Sequence, residues 1–306
     1  MIKISVQTGG PVTYYGIDEG YRKIREWGFD AVDANIDQLM TGKEIRENSF
    51  SDLFVKGGDD FMDLFTPYAE AAKKYGIDNY QAHAPFPSYI YPENADSDFN
   101  ARMIEVLKNM IRGCDKIGCR NLIIHPFFAG YDHLLRPEEE WELNIESYGK
   151  LIPAAKEYGV TVNLENMFTS HKGKIYAACC SDIALSCKYV DELNALAGEK
   201  CFGFCLDTGH LLLCGIDVKN AMLTLGSRIT AFHMHDNNGI ADEHIAPFSG
   251  ILDWDRFVEG LREIGYDRTI SFETFNVWRR GRIEVMDETM KLIAKTGRAF
   301  AEAAAK

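Results

Sequence analysis

What this 306-residue chain does without narrows its class before any motif is read. No apolar run approaches the roughly 18 residues that a membrane span needs, so no membrane association is expected. The eight cysteines form no C-x-x-C pair, and several, Cys114 and Cys205 among them, fall inside apolar stretches. They read as reduced core residues of a cytoplasmic protein. The opening stretch over 1–6 reads as a short strand rather than a signal peptide, in keeping with that location. Basic residues are few: 33 Lys and Arg stand against 46 Asp and Glu, for a formal net charge of −13. Nucleic acid is therefore a disfavoured partner, although a local basic patch is compatible with an acidic protein. There is no G-x-S-x-G to present a serine nucleophile, and no thiol with a plausible base. Gly9-Gly10-Pro11 does not have the G-x-G-x-x-G spacing of a dinucleotide loop. No linker or low-complexity stretch divides the chain, so one domain over 1–306 is expected.

What is present is 46% hydrophobic residues, enough for a full core, laid out in a repeating pattern. Strands are expected over 2–8, 31–36, 79–84, 121–125, 161–165, 201–206, 229–235 and 269–274. Between them apolar residues recur at helical spacing, as in Ile17, Tyr21, Ile24 and Trp27, or Ile104, Leu107, Ile111 and Cys114. Phe61 to Ala72, 138–158, 182–196, a helix starting near Leu211 and 255–264 continue the series, which ends with Met286, Met290 and Ile293 on one face. Glycines at Trp27-Gly28-Phe29, Tyr75-Gly76-Ile77 and Tyr158-Gly159-Val160 supply helix ends. Eight strands alternating with eight helices predict an α/β fold, the (β/α)8 TIM barrel. The competing doubly wound sheet would need the phosphate loop that is missing.

Active sites of such barrels gather at the C-terminal ends of the strands. Those ends carry His83, His125, Glu165, Asp207 with His210, His233 with His235 and Asp236, and Glu273. Singly, each has a plain structural reading: Asp207 caps the following helix, a strand-end His is a satisfied core residue, and a terminal Glu is solvated. Six consecutive strands ending in metal-capable residues argue for a site. Carboxylate and imidazole without thiolate suit Mn²⁺, Mg²⁺, Co²⁺, Fe²⁺ or Zn²⁺, and Cys205, inside an apolar strand, reads as packing. Phe86, in an aromatic and Pro-rich loop over 85–91, and Trp254 and Trp278 are candidate walls for a small polyol, with core packing as the alternative for each tryptophan. Arg279, Arg280 and Arg282 follow the eighth strand, where barrels of this kind bind phosphate, and read equally well as a solvated basic turn.

Asn163-Leu164-Glu165-Asn166, Cys205-Leu206-Asp207-Thr208-Gly209-His210, His233-Met234-His235-Asp236 and Ser271-Phe272-Glu273 together resemble the xylose-isomerase-like TIM-barrel superfamily, in order and along essentially the whole chain. That superfamily holds sugar phosphate isomerases and epimerases, ketose 3-epimerases, and zinc endonucleases that cut DNA at abasic sites. Resemblance to the epimerase branch implies one divalent ion on Glu165, Asp207, His233 and Glu273. It places His233 ahead of His235, because the family pattern is a His followed three residues later by an acid, here Asp236. It also implies isomerase or epimerase chemistry through an enediolate, with Glu165 and Glu273 as acid and base and His210 holding an oxygen. His83 and His125 are then substrate contacts or ligands of a second ion.

Resemblance to the nuclease branch implies instead three zinc ions on His83, His125, Glu165, Asp207, His210, His233, Asp242, His244 and Glu273. The D-x-H of Asp242-Glu243-His244 fits both branches, while Asp236-Asn237-Asn238-Gly239 lacks the basic residue expected of a nuclease. Acidic charge and the aromatic loop favour a sugar, a sugar phosphate or a related polyol as the partner over a DNA duplex. A lyase that cleaves an oxidised glycoside after the same proton abstraction, and a metal-binding barrel without turnover, are the further alternatives. Nothing in the sequence bars pairing into a homo-oligomer.

Overall fold

Alternation sets the first strand of the computed structural model, which describes residues 2–91, 98–129 and 135–306. In β1 (Lys3–Gln7), Ile4 faces out against Gly297 of the helix Met286–Ala304, while Ser5 faces in, its hydroxyl 3.1 Å from that of Ser271. The chain continues through β2 (Ala31–Ala34), β3 (Asp78–His83), β4 (Asn121–Ile123) and β5 (Thr161–Glu165). A small antiparallel hairpin follows, β6 (Phe168–His171) with β7 (Lys174–Ala177), and then β8 (Phe202–Asp207), β9 (Ile229–His233) and β10 (Thr269–Phe272). Apart from the hairpin, all neighbours are parallel, in the order β10-β1-β2-β3-β4-β5-β8-β9. Met234 closes the circle: its N–H donates to the Ser271 carbonyl at 2.8 Å and its carbonyl accepts from Glu273 N–H at 3.0 Å. The expected (β/α)8 TIM barrel forms.

The helical layer is more broken than the periodicity suggests. The first expected helix forms as Ile17–Trp27, and an added one, Gly9–Tyr15, precedes it across Gly16. After β2 the chain makes four short helices, Gly42–Arg46, Asp52–Lys56, Asp59–Asp63 and Thr66–Tyr75, with left-handed Gly57 ending the second and Pro67 opening the fourth. Pro153 likewise starts Ile152–Tyr158 and separates it from Pro137–Gly149, because a proline has no N–H to continue the preceding helix. Val218–Leu225, Phe275–Arg280 and the hairpin are additions to the expected pattern.

The core lies between the outward faces of the strands and these helices. Met290, Ile293, Gly297 and Phe300 of the last long helix are buried there, and each large apolar side chain so covered contributes about 1.5–3 kcal/mol. Trp254, a candidate pocket wall, belongs to this layer instead. It is 2% exposed, stacks on Phe300 at 5.3 Å between ring centres, and donates its ring N–H to Asp236 at 3.0 Å. The acid three residues after His233 is thus held by Trp254 and by the backbone N–H groups of Asn237 and Leu252. All eight cysteines are free, six of them buried. Among the described residues no helix is long and apolar enough to cross a membrane.

Candidate metal centre

Parallel register brings the strand ends to one rim, with Asp207 level with His233 and Gln7 level with Asp33. At its centre stands Glu165, buried at the end of β5. One carboxylate oxygen lies 2.7 Å from His233 Nδ1, and the other 3.3 Å from His125 Nε2 and 3.8 Å from His83 Nε2. Glu273 approaches from the opposite side, 3.8 Å from His233 Nδ1 and 3.2 Å from His244 Nδ1. Asp207 serves two purposes. Its Oδ1 caps the helix Thr208–Leu213 by accepting from His210 N–H at 2.6 Å, and its carboxylate meets His235 Nε2 at 3.1 Å. The capping role read from sequence and the site role coexist in one side chain.

The histidines are pinned in a way that selects their free nitrogen. Nδ1 donates to the Ala84 carbonyl in His83 (2.8 Å), to the Asn166 carbonyl in His210 (2.8 Å) and to the Glu273 carbonyl in His244 (3.1 Å). Each Nε2 is left to face other site groups, the arrangement by which proteins orient metal-binding imidazoles. His83 Nε2 meets His125 Nε2 at 3.0 Å, while His210 Nε2 and His244 Nε2 lie 3.8 and 2.8 Å from Asp242 Oδ2. His233 is held the other way round. Its Nε2 is 3.1 Å from Asp33 Oδ2, which also accepts from Gln81 Nε2 at 2.8 Å, so Nδ1 faces Glu165 and Glu273.

These residues fit a divalent ion. Asp207, His233 and Glu273 present ligand atoms within 4.8 Å of one another, as do His83, Glu165 and His233, and, in a third group, His210, His235, Asp242 and His244. The donors are oxygen and imidazole nitrogen, suited to Mn²⁺, Fe²⁺, Co²⁺ or Zn²⁺, and the buried Glu165 Oε2 accepts no hydrogen bond. Electrostatics points the same way. Burial pushes the His210 imidazole down, but the Asp207 and Asp242 carboxylates overcome it and lift it to about 10. Burial also opposes ionisation of Glu165, yet His233 and His125 hold its carboxyl well below the usual range. For Glu273 burial is again overcome, by His233 and His244. The cluster draws protons onto its imidazoles to balance its carboxylates, and a bound cation would supply that balance instead.

The site opens into a cavity of about 650 Å³, lined by Glu165, His210, Asp242 and Glu273 together with Phe86 and Trp278. Phe86 covers His83 and His125 at 5.3 and 4.6 Å between ring centres. Phe168, from the unforeseen hairpin, packs on His210 at 5.1 Å. His235 lies deeper, fully buried and stacked on His244 at 3.8 Å. Arg279 borders the cavity, whereas Arg280 pairs with Glu243 and Arg282 with Glu284. Four residues escaped the sequence reading: Gln7 at the end of β1, Asp33 in β2, Asp37 in the turn Ile36–Leu39 after it, and Gln81 within β3. Burial lifts the Asp37 carboxyl to about 6 against the pull of His83 and Asn35. The signals were an Asp inside an apolar run at 33 and a Gln closing β1.

The chain belongs to the xylose isomerase-like TIM barrel family, whose model matches residues 21–296. It is 24% identical over 192 residues to the inosose isomerase of Bacillus velezensis, covering 61% of this chain and 64% of that protein. It is 25% identical over 178 residues to a probable endonuclease 4 of Thermoplasma acidophilum, covering 55% and 56%. The chain thus spans 56 to 64% of the length of these relatives. Among solved structures, a D-tagatose 3-epimerase-like protein superposes with a TM-score of 0.68 at 19% identity over 96% of this chain and 99% of that one, a likeness of fold.

Proposed function

We propose that the protein is a divalent-metal-dependent isomerase or epimerase acting on a small sugar or polyol ketone. The observation that carries this reading is the pair Glu165 and Glu273. Both border the cavity, stand 2.7 and 3.8 Å from the same nitrogen of His233, and are held ionised by their histidine neighbours. An ion on Glu165, Asp207, His233 and Glu273 would polarise a substrate carbonyl and its neighbouring hydroxyl, making the C–H between them acidic. One glutamate takes that proton while the bonding electrons move onto the carbonyl oxygen, and the other returns a proton to carbon. His210, with Nδ1 fixed on the Asn166 carbonyl, aims Nε2 at a substrate oxygen. Phe86 and Trp278 press the sugar against the site and keep water from the carbanionic carbon. Incubation in D₂O with Mn²⁺ and D-fructose or an inosose tests the reading: deuterium should enter at the carbon beside the carbonyl, and its absence from every ketose tried would refute it. The oxidised-glycoside lyase uses the same abstraction and would show, with an oxidised glycoside in place of the ketose, as release of its aglycone.

One observation favours a second reading. All nine residues of the three-zinc pattern converge in the structure, including the His83–His125 contact of 3.0 Å and Asp242 between His210 and His244. The net charge of −13 opposes a DNA partner. Nicking of a duplex carrying one abasic site, lost in His244→Ala, would establish the nuclease.

A further inference from the structure

The chemistry above occupies one side of the cavity, and the other side carries polar groups that it leaves without a task. Gln7, at the end of β1, and Asp37, in the helical turn Ile36–Leu39 after β2, both line the cavity. Gln7 is only 4% exposed, and its Nε2 has no protein partner. Asp37 Oδ1 is likewise sealed from solvent without a protein partner. A buried donor and a buried acceptor left this way weaken the fold unless something completes them.

The wall that holds them is firmly built. Asn35 N–H donates to Thr8 Oγ1 at 2.9 Å, and Asn35 Oδ1 accepts from Gly9 N–H at 2.7 Å, lacing the ends of β1 and β2 together. The Asn35 side chain also reaches Asp37. A Cβ on Gly9 would stand 2.8 Å from Gln38 Nε2, so the absence of a side chain lets Gln38 close over the turn. These groups are set in place before any ligand arrives.

We propose that this wall is a specificity subsite for the hydroxyls of an unphosphorylated polyol, with Gln7 Nε2 donating to a hydroxyl oxygen and Asp37 Oδ1 accepting a hydroxyl proton. The proposal rests on the isomerase reading for the direction in which the substrate lies, and extends it from a reaction to a substrate class. A hydroxyl both donates and accepts, so it satisfies an amide N–H and a carboxylate oxygen on one wall. A phosphate dianion offers no proton to Asp37 and carries close to two negative charges into the cavity. Four carboxylates line that cavity, Asp37, Glu165, Asp242 and Glu273. Arg279 is the one Lys or Arg side chain lining it among the described residues, and it sits over the Phe275 ring at 4.6 Å, exposed at the mouth.

The test uses full-length Mn²⁺-loaded protein and the variants Asp37→Asn, which keeps the shape, and Gln7→Leu, which removes the donor. Deuterium exchange is followed into D-fructose and D-fructose 6-phosphate, and myo-inositol, which has no carbonyl to react, is titrated calorimetrically. In each variant the KM for D-fructose and the Kd for myo-inositol should rise by about 10- to 100-fold, while kcat and Mn²⁺ affinity stay within about threefold. Wild type should favour D-fructose over its 6-phosphate, and Asp37→Asn should narrow the gap. Unmoved KM and Kd values in both variants overturn the subsite, and a wild-type preference for the phosphate overturns the substrate class. If wild type exchanges deuterium into neither sugar, the proposed function fails and the myo-inositol arm still decides: binding lost in the variants upholds the wall, while equal or absent binding refutes it.

Discussion

Replacing Asp33 with Asn takes one negative charge out of the bottom of the site and leaves its shape intact. Asp33 is 1% exposed, with Oδ2 at 3.1 Å from His233 Nε2 and at 2.8 Å from Gln81 Nε2, and with Oδ1 unpartnered. In the variant the amide oxygen keeps both contacts and the amide nitrogen stands where Oδ1 stood. What goes is the carboxylate that makes His233 Nδ1 more basic and holds its ring on Glu165 and Glu273. Partners of this kind are worth about 10- to 100-fold in metal affinity, or about 1.4 to 2.8 kcal/mol. The metal-free fold should respond differently. Relief of crowding among Asp33, Glu165, Asp207 and Glu273 offsets the newly unpaired amide N–H, so the melting temperature should stay within about 4 °C of wild type. A competition titration with a chelating indicator gives the Mn²⁺ affinity, and calorimetry of the metal-free protein gives the melting point. An affinity within about twofold of wild type would refute the positioning role, since outer ligand partners move it further. A collapse of the metal-free fold would make Asp33 a structural residue.

Protein purified without chelator should carry about one to three divalent ions per chain by elemental analysis, and EDTA should abolish turnover; full activity without metal would end the metal reading. Glu165→Gln and Glu273→Gln, each saturated with Mn²⁺, should slow carbon deuteration by about 10² to 10⁴, and wild-type exchange rates in both would send the search for a base elsewhere. Gly209→Ala would place a Cβ 1.9 Å from the His235 ring, so it should destabilise the fold by about 1–3 kcal/mol in urea titrations, and a variant as stable as wild type would show that His235 moves freely. Because burial is overcome by Asp207 and Asp242 to lift His210 to about 10, the metal-free protein gains stability from its proton below pH about 6.5 and loses that gain as pH rises through 10. Unfolding measured across that window should show the decline, and His210→Gln should flatten it.

The barrel was legible because eight short strand-like runs alternate with stretches of helical spacing, and because its helices end at glycines such as Gly76 and Gly159, both left-handed in the structure. The hairpin was not, since Phe168-Thr169-Ser170-His171 alternates too weakly to announce a strand. Its one signal is Lys172-Gly173, both at positive φ, in the two-residue turn. The long helix expected over 138–158 ignored what Pro153 does to a backbone. In the site, His83, His125, Glu165, Asp207, His210, His233, His235 and Glu273 could be read because strand ends point to one rim, whereas Asp242 and His244, in the loop after β9, were legible only through the family resemblance. Asp33 could not be read, because the run over 31–36 looked like any buried strand and a carboxylate facing inward shows no period, and Asp37 lies in the turn just past that run, where an acid carries no signal of its own. Trp254 stayed open between core and pocket for a related reason: a tryptophan beside a strand end faces either layer, and only the fold shows its ring N–H on Asp236.

The separation of the partners along the chain has its own consequence. Asp33 and His233 stand 200 positions apart, Glu165 and His233 68, and the Ser5 and Ser271 hydroxyls 266. Contacts of this span form only after large loops have closed, so they come late in folding and slow it. The donors therefore have no shared geometry in a partly folded chain, which limits premature capture of a metal ion by half a site. Once the circle is shut, an ion held as proposed on Glu165, Asp207, His233 and Glu273 would tie the ends of β5, β8, β9 and β10 to one another.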